Sequence, residues 1–238
     1  MDKETKKRIE DLVKHSDFIV ASPNTIEKMK AKGLEVESKT VTYKEYLDKL
    51  FVEKRKIADE IINKLPHLDT GIANSAITSA YDELRESFVL GIPGAAITMA
   101  IILLELALKY RLYDERLKDS PNSSWEHLEQ IDLTKVVNAL KRKGVITSTD
   151  KRSLDEFNAG IRNDYIHYKI KSLVKDLIGK ELPSVDVETG EITIHRNVKA
   201  VDYPSLWFSA KRAVDKETVI SKVSYCIDWV NKVLAKPT

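Results

Sequence analysis

Apolar positions along this chain recur every three or four residues, the rhythm of helices with one buried face, and one short stretch alternates as a strand does. Ile77, Ala80, Tyr81, Leu84 and Phe88 predict a helix over about Ala73 to Leu90, which Gly91-Ile92-Pro93-Gly94 then breaks or kinks. The next helix is apolar on nearly all sides through its first half, which suits the centre of a core or of a dimer interface. Lys118 to Ser124 reads as a loop, Trp125 to Gln130 as a helical turn, and Asp132 as the cap of a helix that stops at Gly144. Thr147 and Asp150 make a capping-box-like start for another helix, which the pattern carries through His167 to about Ile178 with a local break at Ala159 and Gly160. Val185 to Ile194 alternates around Glu188-Thr189-Gly190 and predicts a β-hairpin. After an irregular segment through Asp202, Tyr203, Pro204 and Trp207, a last helix from about Lys216 to Leu234 sets Val219, Val223, Cys226, Ile227, Val230 and Val233 on one broad face.

The first third of the chain has a different character. Residues 1–66 read as a charged helical appendage, with helices over Lys3 to His15 and Ser22 to Gly33 and a strand or linker over Glu35 to Tyr43. A longer helix from about Tyr43 to Leu65 is stopped by Pro66. Residues 67–238 form the main helical domain, with the hairpin inserted at about 180–214. Scarce glycine (8) and proline (7) agree with a mainly α-helical class. The longest apolar run, Phe88 to Leu104, is interrupted at Pro93 and falls short of the roughly 20 residues a membrane span needs, so no membrane association is expected. A single cysteine, Cys226, excludes an intramolecular disulfide and suits a reducing cytoplasm, and no signal core follows the charged start. The net charge of +2 is too small to announce a nucleic-acid partner, so that case rests on local clustering.

The candidate chemistry lies in Phe157 to Tyr168, where an Arg, an Asn, an Asp and a His interrupt the apolar rhythm. On an ideal helix the step from Arg162 to His167 turns by roughly 140° and climbs about 7.5 Å, so the two do not stack. Asn163 and His167 would share a face, which suggests that Asn163 orients the imidazole while Arg162 reaches round or meets a His from a second copy. Glu105, inside the apolar half of its helix, is either a satisfied ion pair or a carboxylate aimed at this site; Asp164 is a structural partner for the Arg or the His, or an auxiliary group. No carboxylates or histidines cluster at metal-ligand spacing, and no glycine-rich phosphate loop is present, so neither metal nor cofactor is expected.

Arg162-Asn163-Asp164-Tyr165-Ile166-His167, the preceding apolar helix and the closing helix together resemble the HEPN superfamily, the "higher eukaryotes and prokaryotes nucleotide-binding" helical domains. The resemblance covers about residues 68–178 and 215–236. It implies a four- to five-helix up-and-down bundle, commonly dimeric, and often a metal-independent endoribonuclease of toxin or antiviral-defence type. By position, Arg162 and His167 match the catalytic pair and Asn163 the polar residue that follows the Arg. The family also contains inactive modules that bind RNA, a nucleotide or a protein partner, and toxin-like members modified by a neighbouring nucleotidyltransferase, here on Tyr165 or Tyr168. A homodimer, RNA, and a cognate antitoxin or regulatory protein are the partners it implies.

For such a reaction the 2′-hydroxyl of RNA is the nucleophile; it requires a base, a cation for the phosphorane and an acid for the leaving oxygen. Imidazole supplies proton transfer near neutral pH, and guanidinium matches two phosphate oxygens. Lys169, Lys171, Arg152 and Tyr168 are candidate RNA contacts, in a region where Lys141, Arg142, Lys143, Lys151 and Lys175 add positive charge. His15, His67, His127 and His195 stand singly and read as surface or structural residues, and Trp207 and Trp229 as packing.

Overall fold

In a computed structural model the described residues are 62–235, apart from 70, 73, 121–123 and 186–191, together with 27, 28, 30, 31, 42–45, 47–49, 51 and 52. The expected helix over Lys3 to His15, residues 35–41 of the expected strand or linker and the hairpin turn at Glu188 to Gly190 lie outside them, and of the second helix only residues 27, 28, 30 and 31 are described, as helical. Thr42 caps the start of the next helix reciprocally, taking the Glu45 N–H on its hydroxyl and giving its own N–H to the Glu45 carboxylate.

The described chain is mainly helical with one small antiparallel sheet. Helix α1 (Ser75–Val89) starts where Asn74 accepts the Ala76 and Ile77 N–H groups, each at 3.1 Å. It ends in a Schellman turn: Ile92 N–H reaches Ser87 O and Gly91 N–H reaches Phe88 O, with Gly91 at φ +63°. Pro93, fixed near helical φ and lacking an N–H, then opens α2 (Pro93–Asp119), so the break in Gly91-Ile92-Pro93-Gly94 separates two helices. Lys118 and Asp119, expected in the loop, complete the last turn of α2.

Helix α2 is the centre of the core. Ala96, Ile97, Ala100, Ile101, Leu103, Leu104, Ala107 and Leu108 are all buried, which uses more than one face of the helix and explains its unbroken apolar run. It packs most extensively on the last helix, then on α1 and α4. A short α3 (Trp125–Glu129) leads to α4 (Leu133–Arg142), capped by Asp132 accepting Lys135 N–H at 3.0 Å and closed by a second Schellman turn with Gly144 at φ +73°. Both halves of the Thr147 and Asp150 capping box form at the start of α5 (Ser148–Phe157).

The helix carrying the candidate site is shorter than the sequence pattern predicts. After α5 comes one π-helical turn, Asn158–Arg162, at the expected break, then α6 (Asn163–Ile166) and α7 (Ile170–Val174), so the helix stops at Ile166 and does not run to Ile178. The physical reason is a third Schellman turn: Lys169 N–H bonds Asp164 O at 2.8 Å and Tyr168 N–H bonds Tyr165 O, with Tyr168 left-handed at φ +51°. The hairpin also differs from expectation. Its strands, β1 (Ile178–Val185) and β2 (Ile192–Lys199), pair from Ile178 with Lys199 out to Val185 with Ile192, so most of the strand residues lie outside the predicted Val185 to Ile194 window.

The last helix, α8 (Trp207–Leu234), begins nine residues before the predicted Lys216. Pro204 opens a 3-10 turn that feeds directly into it, so the proline marks an entry and not a break. Val223, Cys226, Ile227 and Val230 are buried against α2. Burial pushes the Cys226 thiol well above the ordinary thiol range, as expected of an inert packing residue. No helix among the described residues is long and apolar enough to cross a membrane.

Candidate functional site

The π turn and the Schellman turn bracket the predicted site. Asn163 N–H bonds the carbonyl of Asn158, five residues back, and His167 leaves helical geometry at φ −94°, ψ 7°. Arg162 is therefore the residue just before the four-residue α6 and His167 the residue just after it. His167 N–H still bonds Asn163 O at 3.2 Å, the i to i−4 bond of a helix, so the two residues keep helical spacing, with His167 closing the last turn.

Asn163 nonetheless makes no hydrogen bond to the imidazole. Its Oδ1 accepts Arg162 Nη1–H at 3.1 Å, so it holds the guanidinium. Arg162 Nη2 bonds Glu105 Oε2 at 3.0 Å, and Lys109 Nζ lies 3.1 Å from the other oxygen of the same carboxylate. All three side chains are partly buried, between 12% and 19% exposed, so the ion pairs are screened less than surface pairs. One carboxylate serves two cations, leaving the trio with a net charge of +1. The guanidinium has five N–H donors and spends two here. Its Nε, and Asn158 Oδ1 at the head of the same π turn, are buried without a hydrogen-bond partner. His167 is exposed, and its ring makes no hydrogen bond among the described residues.

Two other positions of the predicted set point inward. Asp164 is buried and accepts the Ser172 hydroxyl at 2.6 Å, tying α6 to α7 and leaving it no part in pairing Arg162. Tyr165 is buried, donates to Asp215 Oδ1 at 2.5 Å and accepts from Lys222 Nζ at 2.9 Å. Lys211 Nζ bonds Asp215 Oδ2 at 2.5 Å. Desolvation, reinforced by the Asp215 carboxylate, raises the Tyr165 hydroxyl far above the ordinary phenol range, and desolvation lowers Lys222 below the usual ammonium range. Tyr165 is thus closed to a modifying enzyme, whereas Tyr168 is 54% exposed.

Tyr168 faces Phe208 at a ring distance of 6.4 Å and lies under Lys211 at 5.5 Å. With Leu90, Ile92, Met99 and Tyr165 it lines a cavity of about 660 Å³. Lys171 sits over the Trp207 ring at 5.1 Å, and Trp207 Nε1 donates to Val201 O. Lys169 and Arg152 are exposed, Arg152 on the first turns of α5 and separated from Arg162 by roughly 15 Å of helix.

No family model, no curated protein and no solved structure matches the chain. The site's own geometry therefore carries the argument. The structure brings Glu105, Arg162 and Asn163 together, as the second of the two readings of Glu105 requires, while the ion pair itself satisfies the first. Sequence reasoning missed Lys109, Lys211, Asp215 and Lys222. Lys109 stands one turn beyond Glu105 on a helix whose first half has no other charge, and that spacing was a usable signal. Among the described residues no group of His, Cys, Asp and Glu is arranged to hold a metal ion.

Proposed function

We propose that this chain is a HEPN-like endoribonuclease of toxin or antiviral-defence type, an up-and-down bundle that cleaves RNA at an Arg162 and His167 site completed by a second copy. The carrying observation is a fixed cation and a free imidazole at the two ends of one four-residue helix. Glu105 and Asn163 hold the Arg162 guanidinium with donors to spare, and five residues on, His167 projects from a helix end with its ring unbonded. A phosphodiester entering a site of net charge +1 would meet an electrophilic clamp, the Arg, and a proton-transfer group, the His.

In this mechanism one imidazole removes the 2′-hydroxyl proton, the 2′-oxygen bonds to phosphorus, and the phosphorus–O5′ bond breaks as a second imidazole protonates the leaving oxygen. Each chain contributes one such His, so the homodimer supplies base and acid. The product carries a 2′,3′-cyclic phosphate, and the internal nucleophile removes the need for a metal-activated water. Lys169, Lys171 and Tyr168 are exposed beyond the helix end, and in this reading they meet the strand.

A second reading has its own support: the Glu105 ion pair satisfies Arg162 as a structural residue would be satisfied, as in a non-catalytic dimer that binds RNA, a nucleotide or a protein partner. Purified protein incubated with mixed cellular RNA and a chelator separates the two. The ribonuclease leaves cyclic-phosphate ends, and His167→Ala or Arg162→Ala lowers the rate by about 10²- to 10⁴-fold. Equal cleavage by all three proteins, or none by any, removes the enzyme reading.

A further inference from the structure

A second cleft, of about 570 Å³, lies between α2 and α4 and is lined by Arg116, Ile131, Lys135, Asn138, Lys141 and Arg142, with no acid among its walls. From it we infer that the chain has a phosphate-tracking groove for single-stranded RNA, leading to the Glu105 and Arg162 site from the far ends of these two helices. The inference rests on the ribonuclease reading for the identity of its ligand.

Position connects the two places. Arg116 stands eleven residues beyond Glu105 on α2, three turns that bring it back to within about 20° of the same face and about 16 Å along the axis. Lys109 lies on that face between them, its ammonium 3.2 Å from Glu129 O, beside the Ile131 wall of the cleft. On the other side, Thr134 at the start of α4 accepts from the Asn158 side chain at the head of the π turn, and Lys135, Asn138 and Arg142 follow at helical intervals. The cleft therefore continues the face of α2 that carries Glu105, the ion-pair partner of Arg162.

Charge decides against a purely structural role. The last turns of α2 and α4 meet here, since Lys143 Nζ reaches both Glu115 O and Asp119 Oδ2. Two helix C-termini present about one negative charge between them, roughly half each, which accounts for one of the four lining cations. Asp132, 3.6 Å from Lys135, accounts for another. About two positive charges remain, and Arg116 and Lys141, which are half-buried, have no ion-pair partner among the described residues. A chain with one charge per phosphodiester link answers a line of cations along a groove, and Asn138 offers a donor and an acceptor for a base or 2′-hydroxyl.

The test is anisotropy binding of a labelled oligouridylate across a salt series, with the Arg116→Gln/Lys141→Gln/Arg142→Gln protein beside the unmodified one. Each phosphate contact of a single strand contributes about 0.7 to the log–log salt slope, so losing three should flatten it by about 2. The charge-conserving Arg116→Lys/Lys141→Arg/Arg142→Lys protein should keep the original slope. If the triple neutral protein fails to fold, the exposed Arg142→Gln alone should lower the slope by about 0.7. An unchanged slope in the neutral variant overturns the groove, as does displacement of the RNA by polyglutamate at equal charge concentration, which would assign the cleft to an acidic protein partner. Binding needs no cleavage: a groove-dependent slope in a protein that leaves RNA intact fails the enzyme and keeps the groove, and cleavage with an unchanged slope does the reverse.

Discussion

Three helices end in the same hydrogen-bonded turn, at Gly91, Gly144 and Tyr168, and only the third uses a residue with a side chain at the left-handed position. Replacing Tyr168 by Gly and by Ala tests whether the helix truly stops there. Both changes remove the ring and its contacts with Phe208 and Lys211, so those losses cancel in the comparison. What remains is the backbone. A left-handed L-residue costs about 1–2 kcal/mol, from which the extra unfolded-state freedom of Gly subtracts about 0.4–1 kcal/mol, so Gly should be favoured by about 1 kcal/mol. Were the helix continuous to Ile178, the order would reverse, because Ala is favoured over Gly by about 0.8–1 kcal/mol inside a helix. The two structures thus differ by about 2 kcal/mol in the quantity measured.

Urea unfolding midpoints at constant slope are the assay, with thermal midpoints as a check, where 1 kcal/mol moves a domain of this size by about 2–4 °C. Gly144→Ala supplies the internal calibration. Gly144 sits at φ +73° and an added Cβ meets no atom within 4 Å, so its substitution registers backbone strain alone. Tyr168→Gly should exceed Tyr168→Ala by about the amount Gly144→Ala loses. An Ala variant as stable as the Gly variant, or more so, would refute the helix stop and with it the placement of His167 at a helix end.

Gly94 gives a second inversion of an ordinary rule: a Cβ there would lie 2.7 Å from Asp215 Oδ2 and 3.1 Å from Lys211 Nζ. Gly94→Ala should therefore destabilise by about 1–3 kcal/mol through the displaced carboxylate, where an open helical site would gain, and a neutral or stabilising result in urea unfolding counts against the Tyr165–Asp215–Lys211 cluster as drawn. On the acid side, the carboxyls of Glu115, Asp132 and Asp150 are held below their ordinary range by hydrogen bonds from Lys118, the Lys135 backbone and Lys232 respectively. Depressed folded-state values contribute stability that is present above the unfolded values of 3.8 to 4.5 and lost as pH falls through the folded ones, so the urea midpoint should decline on acidification from about pH 5 to pH 3. A flat profile over that window would show that these contacts do not persist in solution.

What the sequence made legible was local. Asp132, the Thr147 and Asp150 pair and Gly144 carry their signals within one turn of the ends they form, and each acts where it was placed. Tyr168 carried no such signal, because an aromatic residue at a left-handed C′ position is the exception that a preference for Gly cannot anticipate. Pro204 was legible as punctuation but not in sense, since the same fixed φ that interrupts a helix also starts one. Reading Asp202 to Trp207 as irregular and starting the helix at Lys216 left out the first nine residues of α8, and with them Lys211 and Asp215. Even with α8 drawn correctly, their meeting with Tyr165 across fifty residues of chain is a tertiary event that no periodicity records. Glu105 was legible as an oddity, a charge amid apolar neighbours, and only the tertiary fold names Arg162 as its partner.

The inward cluster explains why so short a helix as α6 holds its place. Asn163–Ile166 is four residues long, too little to form alone, and it lies between a π turn with two unpartnered buried polar atoms and a residue at positive φ. Irregularities of this kind cost on the order of 1–3 kcal/mol each and persist only where surrounding contacts over-determine them. Here those contacts come from the two middle positions: Asp164 bonds Ser172 of α7, and Tyr165 bonds Asp215 and Lys222 of α8. With both middle residues anchored inward, the flanking residues are displayed at opposite ends of α6, Arg162 against Glu105 and His167 to solvent. A regular helix through this stretch would have made His167 one more turn residue on a continuous surface. The break gives it a separate end to stand on, and the Tyr165 cluster is the positioning element that keeps the break in register.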